Sequence, residues 1–166
     1  MKGMLFKKRF NQAIAEGRKT QTRRIIKSGD ILPVAVKIEG GHDALFLYRN
    51  EDREAEINIS SNLWLREIVY VKHRLYDSAA KAELFIMITR VRVERLQDIS
   101  EEDAKREGVE IENPGTIYHG KYHNYKGLYW HLFADLWDEI NGGRGYSFAS
   151  NPLVWVIDFE RVARPE

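Results

Sequence analysis

Gly17-Arg18-Lys19-Thr20-Gln21-Thr22-Arg23-Arg24 places one lysine, two hydroxyls and three guanidiniums directly behind a helix stop. Upstream, Phe10, Ala13 and Ile14 fall at i, i+3 and i+4, so Lys8 to Glu16 reads as a short helix that Gly17 ends. Downstream, Ile31 to Ile38, Ala44 to Tyr48, Glu54 to Ile59, Leu63 to Tyr70 and Glu83 to Glu94 carry β-branched and aromatic residues in partial alternation. Gly40-Gly41, Asn50-Glu51-Asp52 and Ser60-Ser61-Asn62 separate them as turns.

Ser100-Glu101-Glu102-Asp103 has the form of a capping box, with a hydroxyl for the third amide and a carboxylate to reach back, so a helix is expected from there to Gly108. Residues 110–126 contain Pro114, Gly115 and Gly120 among several tyrosines and histidines and read as a loop that can act as a lid. Tyr125 to Asn141 sets Leu128, Leu132, Phe133, Leu136, Trp137 and Ile140 on one stripe, closed by Gly142-Gly143. Leu153 to Val162 alternates Leu153, Trp155, Ile157 and Phe159 as a last strand. Many short strands with few helices predict an α+β fold around a curved or closed β core. With 166 residues and neither a repeat nor a linker, residues 1–166 are read as one domain. A chain of that size buries roughly 70% of its unfolded surface, so no metal or disulfide staple is required.

Composition narrows the chemistry. There is no cysteine, which excludes disulfides, thiolate nucleophiles and cysteine-held metal. Any nucleophile is therefore an oxygen or an amine. The apolar run Met4-Leu5-Phe6 is far short of a signal-peptide core, and no apolar stretch of membrane-spanning length follows, so a cytoplasmic protein with no membrane partner is expected. The net charge of +1 argues against a general polyanion binder. The charge is unevenly spread, however: Lys2, Lys7, Lys8, Arg9, Arg18, Lys19, Arg23, Arg24 and Lys27 face Glu16 alone in the first part of the chain, whereas Asp98 to Glu112 is mostly acidic.

The Gly17–Arg24 segment resembles the signature of the ASCH family, a PUA-like barrel group, and most of all its phage-type members. Leu63-Trp64-Leu65-Arg66-Glu67, Val93 to Ala104 and Asn151-Pro152-Leu153-Val154-Trp155-Val156-Ile157-Asp158-Phe159 match it too, so the likeness spans most of the chain. The family's usual Pro-Gly-Asp turn is replaced by Ser60-Ser61-Asn62, while Ser28-Gly29-Asp30 resembles it upstream. The resemblance implies a PUA-like β-barrel with peripheral helices. It also implies a site for hydrolysing N4-acetylcytidine-type amides in which Lys19, Thr22 and Glu107 are catalytic, with no cofactor and no metal.

That trio makes chemical sense. A threonine hydroxyl needs a base before it attacks a carbonyl, and a neutral lysine amine can serve. Bringing Lys19 from an ordinary value of about 10.4 toward neutrality takes ~4 kcal/mol of preference for the uncharged amine, a direction favoured by burial beside Arg18, Arg23 and Arg24. Glu107 would share a proton with the site and protonate the leaving amine. Arg24 would bind the pyrimidine carbonyl or the oxyanion, and Arg23, Arg66, Glu67 and Tyr118 are the further candidate substrate contacts. In a regular strand Lys19 and Thr22 point to opposite faces, so the site requires an irregular backbone between them.

Other readings of the same residues stand beside this one. Arg18 to Arg24 also suits a phosphate-contacting patch, which makes a non-catalytic RNA-binding PUA-like module the alternative, with a metal-independent ribonuclease as a third. The expected partner is a modified nucleoside or RNA. Glu107 also fits an exposed acidic helix, and Arg66 with Glu67 fits a plain ion pair. His119 and His123 stand at metal-pair spacing without an evident third ligand.

Overall fold

The computed structural model describes residues 1–26, 66–110 and 127–166, together with the backbone of 38–39, 44–47 and 57–59. Among the described residues the strands are β1 (Gly3–Leu5), β2 (Gln21–Ile25), β3 (Ile38–Glu39), β4 (Ala44–Leu47), β5 (Ile57–Ile59), β6 (Ile68–Lys72), β7 (Phe85–Arg95) and β8 (Leu153–Val162). The helices are α1 (Asn11–Ala15), α2 (Glu101–Arg106) and α3 (Leu128–Asn141). One sheet has the order β1-β6-β7-β8-β2, with β1 and β6 parallel and the other pairs antiparallel; β3-β4-β5 form a second, antiparallel sheet.

The α+β class is as expected, but among the described residues the five strands do not close into a barrel. At the edge formed by β2 a side chain takes a backbone acceptor. Phe159 N donates to Thr20 O at 2.8 Å, so the next carbonyl along, that of Gln21, turns away from β8. Its partner is not another strand's amide but the Lys19 amine at 2.9 Å. A side chain thus satisfies the acceptor that a closing strand would have used.

Among the described residues the alternation of β8 separates two apolar clusters. Ile157 and Phe159 join Met4, Phe6, Ile14, Val69, Val71, Ile86 and Ile88, with Trp155 packed against them. Val154 and Val156 belong to the other cluster, with Leu96, Ile99, Ala104, Phe133, Trp137 and Phe148. Strand β7 keeps its apolar side on the first core across an irregularity in its register with β8 between Ile88 and Arg90. The extra residue reverses the parity of the strand. Ile86, Ile88 and then Val91 pack on the first core, which turns Arg92 and Glu94 toward α2.

The helices begin and end for local reasons. Gly17 lies at φ 74 behind α1, and Gly108 at φ 78 behind α2, conformations that glycine alone takes without strain. Asp103 N donates to the Ser100 hydroxyl at 3.0 Å, which is half of the expected capping box. The other half is absent, because the Asp103 carboxylate is taken by Arg23, Arg92 and Gln21 instead. Glu101 caps a different helix: its two oxygens accept from Tyr129 N and Trp130 N, each at 2.9 Å, at the start of α3. Gly127 makes room for this, since a Cβ there would lie 2.2 Å from the Glu101 carboxyl carbon.

Several boundaries differ from the sequence reading. The expected strand Leu63–Tyr70 starts only at Ile68, because Arg66 sits at φ 66 in a turn; residues 63–65 lie outside the described residues. Past α3, Gly142–Arg144 continue as a 3-10 turn until Gly145 at φ 84, so the helical path ends later than the first glycine pair. Strand β1, three residues long, had no periodicity to reveal it. The expected lid at residues 110–126 falls outside the described residues from 111 on.

Phe133 is 3% exposed, between Trp137 and Phe148. Phe133→Ala is therefore expected to lose about 3–5 kcal/mol of stability in urea denaturation. Leu75→Ala, at a position 70% exposed, should stay within about 0.5 kcal/mol of the parent.

Candidate active site

Lys19 belongs to neither α1 nor β2. Its amide donates to Ala13 O at 2.9 Å, and the next amide, Thr20 N, donates to Arg106 O at 2.9 Å, so the link between α1 and β2 is strapped to both helices. The strand alternation that would have sent Lys19 away from Thr22 does not apply to it. The lysine is 2% exposed. Its amine donates to Gln21 O at 2.9 Å, to Glu107 O at 2.5 Å and to Glu107 Oε2 at 3.0 Å. In its ammonium form the group has one acceptor for each of its three protons. Glu107 is the C-cap of α2, where main-chain carbonyls lack helical partners and a cation is favoured. Gly108 lets this helix end close on the lysine stem, as a Cβ there would meet Lys19 Cβ at 2.8 Å.

Glu107 straddles the edge of β2. Its Oε2 binds Lys19, and its Oε1 accepts from Arg23 Nη1 at 3.2 Å. Arg23 continues the contacts inward, to Glu94 at 3.1 Å and Asp103 at 3.3 Å through Nη2, and to Gln21 Oε1 at 2.5 Å through Nη1. Arg92 then bridges Glu94 at 2.5 Å, Asp103 at 2.7 Å and Asp158 at 2.7 Å. Arg106 closes the set on Asp158 at 2.9 Å and on the Thr20 hydroxyl at 3.2 Å. Lys19, Arg23, Arg92 and Arg106 are thus matched against Glu94, Asp103, Glu107 and Asp158.

Two of the three arginines in the Gly17–Arg24 segment are paired with carboxylates. The Arg23 side chain is 0% exposed and faces carboxylates. Arg18, on the surface, pairs with Glu16 and Glu110. Asp158 is the partner with a signal in the sequence. It stands at an inward position of Val154-Trp155-Val156-Ile157-Asp158-Phe159, where a carboxylate must find a cation or be excluded from the core.

Thr22 lies in β2 opposite Ile157, is 5% exposed, and by alternation faces away from Gln21 and Arg23. Among the described residues its hydroxyl makes no hydrogen bond, to Lys19 or to any other group. It is nevertheless close in the chain to the amine, because the Gln21 carbonyl that binds Lys19 leads directly into Thr22. Lys19 Nζ also lies 4.6 Å from the centre of the Phe10 ring, which packs on the first core. Arg24, on the Thr22 face, covers Phe6 of the same core at 5.1 Å and donates to Leu5 O at 2.6 Å. Lys19 and Arg24 thus both lie over aromatic rings that belong to the first core or pack against it.

Burial pushes the Lys19 amine below its ordinary value; Glu107 pulls the other way, and the charges of Arg24 and Arg23 add to the lowering. Burial also pushes Arg24 down against the attraction of Glu107. Partial burial works to raise Asp103, but the hydrogen bond from Gln21 and the charges of Arg23, Arg92 and Arg106 together hold it below its ordinary value.

Arg66 and Glu67 stand apart from this site. Arg66 is exposed, Glu67 bonds Lys2 at 3.2 Å beside β6, and β7 and β8 lie between β6 and β2. Tyr118, His119 and His123 lie outside the described residues. Among the described residues no helix is long and apolar enough to cross a membrane.

No family model and no curated protein matches the chain. Among solved structures it is similar to protein EF3133 from Enterococcus faecalis V583, of the DUF984 family, at 16% identity and a TM-score of 0.49, over 98% of this chain and 76% of that one. It is likewise similar to an ASCH domain from Lactobacillus crispatus JV V101, at 16% identity and a TM-score of 0.48, over 96% of this chain and 78% of the other.

Removing one member of the buried pair strands the other. Glu107→Leu is expected to lose about 3–5 kcal/mol in urea denaturation, and combining it with Lys19→Met should restore part of that loss. Because Asp103 is held below its unfolded value, its contribution to stability is present above about pH 4 and is lost as the pH falls through its lower folded value. Thermal denaturation should therefore show an acid-side decline that is weaker in Asp103→Asn.

Proposed function

We propose that the chain is an amidohydrolase that removes the acyl group from N4-acetylcytidine-type nucleosides, with Lys19, Thr22 and Glu107 as its reacting groups. The observation that carries this reading is a lysine amine 2% exposed, 3.0 Å from a carboxylate and bonded to the carbonyl that leads into a threonine. A lysine placed there for stability alone is a poor investment of burial, since an apolar pair of the same volume does as well or better. A proton-transfer role gives that burial a use.

The chemistry runs as two acyl transfers. With Lys19 uncharged, its lone pair takes the Thr22 hydroxyl proton as the oxygen attacks the acyl carbon. Arg24 polarises the acyl or pyrimidine carbonyl, in the position where fixed donors act most strongly on developing charge. The proton passes from Lys19 through Glu107, 3.0 Å away, to the departing N4 nitrogen as the carbon–nitrogen bond breaks. Cytidine leaves and the acyl group stays on Thr22 as an ester. Water then attacks that ester, its proton crosses the same pair to the threonine oxygen, and the free carboxylic acid departs with the enzyme restored.

The test is to incubate the protein with N4-acetylcytidine and quantify cytidine by chromatography. Wild type should release cytidine, Lys19→Ala and Thr22→Ala should each lose at least about 10²-fold in kcat, and Glu107→Gln should lose a comparable factor. Because the active form needs an uncharged Lys19 whose value is lowered by burial, kcat/KM should rise with pH along a limb lying below the ordinary lysine value of 10.5. No cytidine from wild type, or full activity in Thr22→Ala, rejects the reading. Salt-sensitive RNA binding without product would point instead to a PUA-like RNA-binding module.

A further inference from the structure

Arg23 is buried completely, yet its contacts lead outward to the reacting pair. Nη1 holds Glu107 Oε1 at 3.2 Å, on the oxygen opposite the one that binds Lys19. Nη2 is anchored on the far side by Glu94 and Asp103, at 3.1 and 3.3 Å. The guanidinium also lies 5.7 Å from the centre of the Phe133 ring, so α3 supplies a wall on that side. An arginine so enclosed is held by charge-assisted hydrogen bonds on both sides of its fork. Thr22 and Arg24 face the opposite side of β2, which leaves Arg23 without access to substrate bound there.

Taking the amidohydrolase reading of the pair as its basis, we infer that Arg23 is a positioning residue: it clamps the Glu107 carboxyl group turned toward Lys19, and thereby sets how tightly the pair holds the proton that must leave before Thr22 can be activated on the lysine. Glu94 and Asp103 are the brace that keeps this clamp aimed.

The inference has a sign that simple scaffolding lacks. The charged groups around the pair are Arg23 and Arg24 from β2, Glu94 and Arg92 from β7, Asp158 from β8, and Asp103 and Arg106 from α2. Removing a cation from this set makes the pair hold its proton more tightly. Removing an anion does the opposite. Arg23→Gln should move the acid limb of kcat/KM upward by about one pH unit, whereas Glu94→Gln should move it downward. Arg23→Lys keeps the charge but not the fork, so the limb should stay near its wild-type position while kcat falls several-fold and KM is unchanged.

The experiment records pH profiles with N4-acetylcytidine for wild type and the three variants. In parallel it follows the titration of the Lys19 ε-carbon by NMR on lysine-labelled protein, which needs no turnover. Opposite displacements in Arg23→Gln and Glu94→Gln, by both readouts, are the expected result. An unmoved lysine titration in either, or displacement of both in one direction, overturns the inference. Should Arg23→Gln fail to fold, Glu94→Gln and Arg23→Lys still decide it. If wild type releases no cytidine while the lysine titration moves as stated, the amidohydrolase reading falls and the hold of Arg23 on the pair stands.

Discussion

A charge taken out of water must be met by an opposite charge or by a full set of hydrogen bonds. At the edge of β2 this requirement organises the chain. Lys19, 2% exposed, can lie there only because the end of α2 offers it a carbonyl and a carboxylate. Glu107 can in turn lie there only because Lys19 and Arg23 bind its two oxygens. From Arg23 the same demand passes to Glu94 and Asp103, then through Arg92 and Arg106 to Asp158. The first helix, the second helix and three strands are thereby fixed relative to one another by polar contacts, while the two apolar cores lie to either side.

The two kinds of stabilisation have different consequences. The apolar clusters set how strongly the sheet and helices associate, and they tolerate changes of shape that conserve volume. The ion network is less forgiving, since each member has several partners and none can be removed without stranding another. It gives in exchange a defined placement of the Lys19 amine against β2. The β7 irregularity contributes directly, since without the reversal of parity Arg92 and Glu94 would face the first core and the network would lack its centre.

Much of the scaffold was legible in local patterns. The α1 stripe, the Ser100 cap, the apolar face of α3 and the alternation of β8 are all short-range signals, and each corresponds to an observed element. What local pattern could not reveal is pairing across the chain. Arg23 and Arg24 look alike in sequence, but one is enclosed by carboxylates drawn from residues 94, 103 and 107 while the other lies over Phe6. A run of cations is ambiguous until its counterions are located. Similarly, the approach of Lys19 to Glu107 spans 88 residues and leaves no trace in periodicity; resemblance to a family motif suggested it, and the geometry supplies the reason, a buried helix end that accepts an amine.

The capping of α3 by Glu101 has a bearing on which contacts can be lost separately. One root of the stretch between α2 and α3 is pinned where the Glu101 carboxylate binds Tyr129 and Trp130, and the other where Glu110 meets Arg18. Neither anchor shares a partner with the Lys19–Glu107 pair, so a substitution at Glu101 or Glu110 would release a helix start or a surface contact while the lysine, the carboxylate and their brace keep the contacts described above.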